Sequence, residues 1–225
     1  MKKLSIFLTV ALFATIGFTS CKDKCDKNDP ESECYDSQGG TTDPKLTTDA
    51  GVMINGVKWA TRNVDKPGTF AATSTSAGMF YQWNSKVGWS STDPMKNSNG
   101  ETNWNTKYNS GAKWVSDNDP CPAGWRVPTL DELKELINAG YNLSSTGCTF
   151  GSGNNSVFLL SAGCRLDGNG TLEGVGSYGL YWSSTMNSSS GGGGLAYHLQ
   201  FGNVTAFTDS FFRSSGYSVR CVAAE

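Results

Sequence analysis

Asn55-Gly56 stands between Val52-Met53-Ile54 and Val57-Lys58-Trp59-Ala60. A two-residue Asn-Gly step between β-rich flanks is the signature of a tight hairpin, because both central residues of a type I′ turn need positive φ. The domain therefore opens with antiparallel strands, continued by Thr61-Arg62-Asn63-Val64. Helical periodicity is clear in only one place. Leu130, Leu133, Leu136 and Ile137 recur at helical spacing. Thr129 and Glu132 form a capping box before them, and Gly140 follows them, predicting a helix over residues 130–138. The rest is short, glycine-rich and weakly charged. Glycine accounts for 27 of 225 residues and charged residues for 17%, against about 7% and about 25% in ordinary soluble domains. Much loop and little helix are expected.

The N-terminus reads as an export signal. Met1-Lys2-Lys3 precedes an apolar run over residues 4–18 and then Thr19-Ser20-Cys21. The run is short for a membrane span and ends in small residues. A cysteine at that place predicts lipoprotein processing, with residues 1–20 removed and Cys21 carrying the lipid. Loss of Lys2 and Lys3 makes the formal charge of −2 more negative by two, a balance opposed to nucleic-acid binding. Residues 21–50 are polar, contain Pro30 and Pro44 and lack an apolar period. They read as a tether. Lys22-Asp23-Lys24 resembles the charged export tags of surface lipoproteins in Bacteroides-like bacteria. The expected location is the outer membrane, with contact to the membrane through the lipid alone.

Cysteine usage fits an oxidising compartment. With Cys21 lipidated, Cys25, Cys34, Cys121, Cys148, Cys164 and Cys221 remain. Sequence alone does not choose among their pairings. Proximity favours Cys25 with Cys34 and Cys148 with Cys164, which leaves Cys121 with Cys221.

Between these landmarks, Phe80-Tyr81-Gln82-Trp83 reads as a short strand or turn that sends aromatics inward. Residues 90–116 read as a long loop held by Trp104, Tyr108 and Trp114. Val157-Phe158-Leu159-Leu160 reads as a buried strand. Asp167-Gly168-Asn169-Gly170 reads as a turn. A calcium loop there would need glycine and an acid where Leu172 and Tyr178 stand.

Residues 181–222 look like a framework around a display surface. Tyr181-Trp182-Ser183 and Tyr217-Ser218-Val219-Arg220-Cys221-Val222 have strand character, as does the segment 196–201. The middle is small, polar and aromatic. Tyr197, His198, Phe201, Thr205, Phe207, Thr208, Asp209, Phe211, Phe212, Ser214 and Ser215 are the candidate ligand-binding residues. Phenylalanines in a polar loop mark a binding patch, and aromatics among Ser and Gly have antibody-paratope chemistry. His198 is the chain's one histidine. No HExxH, CxxC or nucleophile elbow occurs, so neither a metal, a cofactor nor an enzymatic activity is expected.

Four blocks carry a family resemblance: Trp59-Ala60-Thr61-Arg62-Asn63-Val64, then residues 119–128 with Cys121 and Trp125, then Tyr181-Trp182-Ser183-Ser184-Thr185, and Gly216-Tyr217-Ser218-Val219-Arg220-Cys221-Val222. In this order they resemble the Fibrobacter succinogenes major paralogous domain, over about residues 52–222. That family is similar to C-type lectin-like folds and to the formylglycine-generating enzyme fold. The resemblance implies an α+β, C-type lectin-like domain with small twisted antiparallel sheets, long loops, disulfides and termini brought together over residues 51–225. Domains of this kind also occur as targets of diversity-generating retroelements, which mutate adenines in a C-terminal repeat. Residues 205–212, Ser214, Ser215, Tyr197, His198 and Phe201 are all reachable from an adenine-mutated Asn codon, whereas Gln200 is not. The functional expectation is a surface lipoprotein that binds an extracellular protein or glycan. The alternatives are an assembly protein and an enzyme of the formylglycine-generating type.

Overall fold

A computed structural model of the chain describes residues 43–189 and 194–224. The leader, Cys21, the Cys25–Cys34 pairing, most of the tether and residues 190–193 lie outside the described residues. Helices are few: α1 (Pro44–Thr47), α2 (Leu130–Asn138) and a 3-10 turn at Ser116–Asn118. The strands in chain order are β1 (Val52–Ile54), β2 (Val57–Asn63), β3 (Met79–Tyr81), β4 (Gly88–Ser90), β5 (Trp125–Arg126), β6 (Tyr141–Leu143) and β7 (Gly147–Ser152). They continue as β8 (Asn155–Leu160), β9 (Cys164–Arg165), β10 (Leu172–Glu173), β11 (Gly179–Met186), β12 (Leu195–Phe201), β13 (Ala206–Phe212) and β14 (Arg220–Ala223). They form small antiparallel sheets in the orders β1-β2-β14-β5, β3-β4, β6-β7-β8, β9-β10 and β11-β12-β13.

The opening hairpin is formed as its turn chemistry requires. Asn55 and Gly56 have φ of 48° and 80°, and Ile54 pairs with Val57 across them. In α2, Thr129 Oγ1 accepts from the Glu132 N–H while the Glu132 carboxylate accepts from the Thr129 N–H. Leu133 and Leu136 are buried, each stabilising the fold by about 1.5–3 kcal/mol. The segment before the hairpin is more ordered than a tether: Asp49 accepts from the Thr61 N–H and from Arg62 Nε, and the Leu46 carbonyl accepts from the Phe70 N–H.

The opening hairpin and the last strand meet in the first sheet, where β14 lies between β2 and β5. The disulfide Cys121–Cys221 closes this junction. Cys148 and Cys164 do not pair; both are buried free thiols, which corrects the pairing by proximity. Cys148 lies on β7 opposite Leu159 and packs with Leu133 and Phe150, whereas Cys164 packs with Trp182 and Tyr217 in the other half of the core. The β7–β8 hairpin carries the chain between two different packs.

Of the strand expected at 217–222, residues 220–222 form part of β14, while 217–219 belong to a threading segment ahead of it. Gly216 exchanges backbone hydrogen bonds with Arg165, Tyr217 with Tyr81, and Ser218 bonds to Leu180 and Trp182. Three sheets are stitched by one stretch. A Cβ on Gly216 would approach Trp104 to 2.9 Å and Arg165 to 3.2 Å, so only glycine passes there without displacing a neighbour.

Strand β11 divides the core. Its alternation sends Tyr181 toward Leu199, Phe201 and α2, and Trp182 toward Tyr217 and Trp83. The loop over residues 90–116 is anchored as expected by Trp114, buried, and by Trp104, which meets Trp89 at 4.8 Å, while Tyr108 is exposed beside Arg213.

Candidate functional site

The candidate surface, read from sequence as a loop, is a strand. β13 pairs with β12 over seven residues, from Phe201–Ala206 to Leu195–Phe212. The period-2 pattern explains it: Phe207, Asp209 and Phe211 point one way, and Ala206, Thr208 and Ser210 the other. β13 is the edge of its sheet. One side of that sheet packs through Leu199, Phe201 and Ala206 against α2. The other side carries His198, Gln200, Phe207, Asp209 and Phe211 in register with Leu180 and Trp182 of β11.

Several sequence candidates are exposed. Phe207, Phe211 and Phe212 retain 40%, 41% and 49% of their surface, and Phe211 and Phe212 rings meet edge to face at 5.2 Å. Thr205 and Asp209 are exposed, and Tyr197 and Thr208 half-buried. Thr205 Oγ1 lies 3.3 Å from the Tyr141 hydroxyl.

Others are framework, which corrects their assignment to the surface. Phe201 is fully buried, stacked on Tyr181 at 6.0 Å. Ser214 and Ser215 are buried where the chain turns inward, with the Ser214 carbonyl accepting from Gln82 Nε2 at 2.7 Å. Arg213 draws that turn inward: its guanidinium lies 4.1 Å over the Trp83 ring and donates to the carbonyls of Leu195 and Gly111.

His198 is also buried, at 2% exposure, between the edges of Trp182 and Tyr217. Burial pushes its pKa down to about 4, so the imidazole is neutral at physiological pH. It lines a groove of about 260 Å³ together with Leu180, Gln200, Asp209, Phe211 and Tyr217. Tyr178 and Cys164 also line it. Burial raises the Cys164 thiol to about 11 and the Tyr178 hydroxyl to about 12. A thiol so raised is a poor nucleophile at neutral pH. Tyr178 and Gln200 also wall a neighbouring polar hollow of about 480 Å³ containing Ser144, Ser161, Ser177 and Asn203. Sequence reasoning missed Leu180, Gln200, Tyr178, Tyr217 and Cys164 as groove residues. Only strand register brings them beside His198 and Asp209.

Among the described residues no group of three His, Cys, Asp or Glu side chains could hold a metal ion, and no helix is long and apolar enough to cross a membrane. No family model, curated protein or solved structure matches the chain.

Proposed function

We propose that this domain is a non-catalytic ligand-binding module of C-type lectin-like fold, of the Fibrobacter succinogenes major paralogous kind. It is held at a bacterial outer-membrane surface through lipidated Cys21, and its ligand is an extracellular protein that docks on β13. The carrying observation is the exposure of Phe207, Phe211 and Phe212 on one edge strand. Apolar rings left in water on a well-paired strand gain by being covered, at about 25 cal/mol per Å². Their setting among Thr, Ser and Asp gives rigid aromatic contacts with adaptable hydrogen bonding, as in antibody paratopes. The four framework blocks and the bridge between Cys121 and Cys221 support the family reading.

A second reading, an assembly protein, draws on the edge position of β13, which leaves one side of the strand open to pairing with another copy. The enzyme reading draws no support from the cysteines: Cys121 and Cys221 are bonded to each other, and Cys148 and Cys164 are buried thiols with raised pKa. The test is the triple variant Phe207→Ala, Phe211→Ala, Phe212→Ala. Binding to surface and secreted protein of the native community, measured by biolayer interferometry, is lost with thermal unfolding unchanged. Retained binding overturns the reading.

A further inference from the structure

Hydrogen bonds at the two ends of β13 fix which of its backbone groups face outward. The Gly202 N–H donates to the Thr205 carbonyl, and the Arg213 N–H donates to the Gly194 carbonyl. Both pairs keep the register of β12 with β13, and hydrogen-bonded pairs alternate along an antiparallel ladder. Phe207, Asp209 and Phe211 therefore turn their backbone groups to β12, whereas Thr208, Ser210 and Phe212 aim theirs at the open edge. The far side of β12 agrees: the Leu195 carbonyl accepts from the Asn187 N–H beyond β11. Part of the open edge is satisfied within the chain, since the Ser210 N–H donates to Asp209 Oδ1 at 2.7 Å and the Phe212 carbonyl accepts from the Ser215 N–H. The Thr208 N–H and carbonyl, the Ser210 carbonyl and the Phe212 N–H have no partner among the described residues.

The side chains follow the same register. Toward an added strand, Phe207, Asp209 and Phe211 occupy non-hydrogen-bonded positions, where opposing side chains come closest. Asp209 is exposed, and its bond to the Ser210 N–H holds the carboxylate at the open edge. Arg213, the nearest cation in sequence, is turned inward over Trp83. An added strand thus meets an apolar, an anionic and an apolar side chain at alternate residues, and its complement is apolar, basic, apolar. A second β13 does not supply this. Antiparallel pairing centred on Asp209 sets two carboxylates face to face, and a shift of two residues either way sets each carboxylate against a phenylalanine.

We infer that a strand of the docked partner adds to the open edge of β13, an extended segment in which a lysine or arginine opposite Asp209 is flanked two residues away on each side by apolar side chains opposite Phe207 and Phe211. The inference rests on the protein-docking reading and gives its mode. Backbone pairing at Thr208, Ser210 and Phe212 supplies affinity, and the alternate side chains supply specificity.

The test titrates the full chain into labelled synthetic peptides Ser-Thr-X-Thr-Lys-Thr-X-Thr-Ser, with X as Val, Ile, Phe or Tyr, and follows fluorescence anisotropy. At least one peptide binds saturably. Glutamate in place of its lysine weakens binding by about tenfold or more, and Asp209→Lys in the protein restores the glutamate peptide. Asp209 is exposed, so its variant keeps the fold. N-methylation of the two threonines beside the lysine, whose N–H groups face β13, weakens binding by about tenfold or more, whereas N-methylation of the lysine itself, whose N–H faces away, leaves it unchanged. Absence of saturable binding by every peptide overturns the proposal. So does binding indifferent to the charge reversal or to which residue is methylated. In those cases loss of native-protein binding in the triple phenylalanine variant leaves docking through side chains standing, and retained binding there removes both readings.

Discussion

The Arg220 guanidinium grips Asn63 Oδ1 through both Nε and Nη2, at 3.0 and 2.7 Å, across a sequence separation of 157 residues. Nη1 donates to the Ala60 carbonyl at 3.1 Å, and both side chains are fully buried. A buried cation is thereby hydrogen-bonded to neutral oxygens of β2, with the Tyr181 hydroxyl and the more distant Asp49 carboxylate also favouring its charged form. Asn63→Ala strips it of its main acceptor and is expected to cost about 3–5 kcal/mol. Arg220→Met removes the charge itself and takes a donor only from neutral oxygens, Asn63 Oδ1 and the Ala60 carbonyl, which costs less than a buried unpaired charge. Urea denaturation of both variants checks the order. Equal effects, or Arg220→Met the more damaging, would count against it.

The bridge between Cys121 and Cys221 spans 100 residues. Loop-closure entropy over such a span gives about 4.7 kcal/mol, so the double serine variant should lose most of the stability of a marginal domain. The two free thiols behave oppositely. Burial pushes Cys148 up to about 12 and Cys164 up to about 11. Peptide mapping after iodoacetamide at pH 8 should find both unmodified in the folded protein and both alkylated in guanidinium chloride.

Acid should weaken the fold through His198. An unfolded imidazole takes its proton near pH 6.5, whereas burial holds the folded one to about 4. Below pH 6.5 the unfolded chain binds the extra proton, so stability falls from there down to about pH 4, by on the order of 3 kcal/mol. Gln200 and the Asp209 carboxylate oppose this and limit it. His198→Asn should flatten the stability profile across that window. An unchanged slope would show that other groups carry it.

The resemblance to retroelement targets becomes specific once exposure is known. Sequencing the gene across its source population should find adenine-derived variation at Thr205, Phe207, Asp209, Phe211 and Phe212. Phe201, Ser214 and Ser215 should stay fixed although their codons are equally reachable, because each is buried. Variation spread evenly over these positions would contradict a surface origin.

Local chemistry was readable without coordinates. The Asn55-Gly56 turn, the Thr129–Glu132 cap and the inward aromatics Tyr81 and Trp83 each depend on near neighbours. What failed was long-range. Ser214 and Ser215 look solvent-exposed until Arg213 is seen stacked on Trp83, and arginine in a polar stretch gives no sign of that. Cys148 and Cys164 are close in sequence but belong to opposite packs. Residues 206–212 read as loop because their alternation is polar on one side and mixed on the other. Pairing with β12 reveals the strand, and with it the groove shared by His198 and Asp209.

Protein docking on β13 is tested most directly by photo-crosslinking in living cells. p-Benzoylphenylalanine is placed in turn at Phe207, Phe211 and Phe212, and at Val175, which is 58% exposed and belongs to none of the three strands of that sheet. The account predicts a common crosslinked partner protein from the three strand positions and none from Val175. Crosslinks confined to other copies of this chain, or the same pattern from Val175, would contradict it.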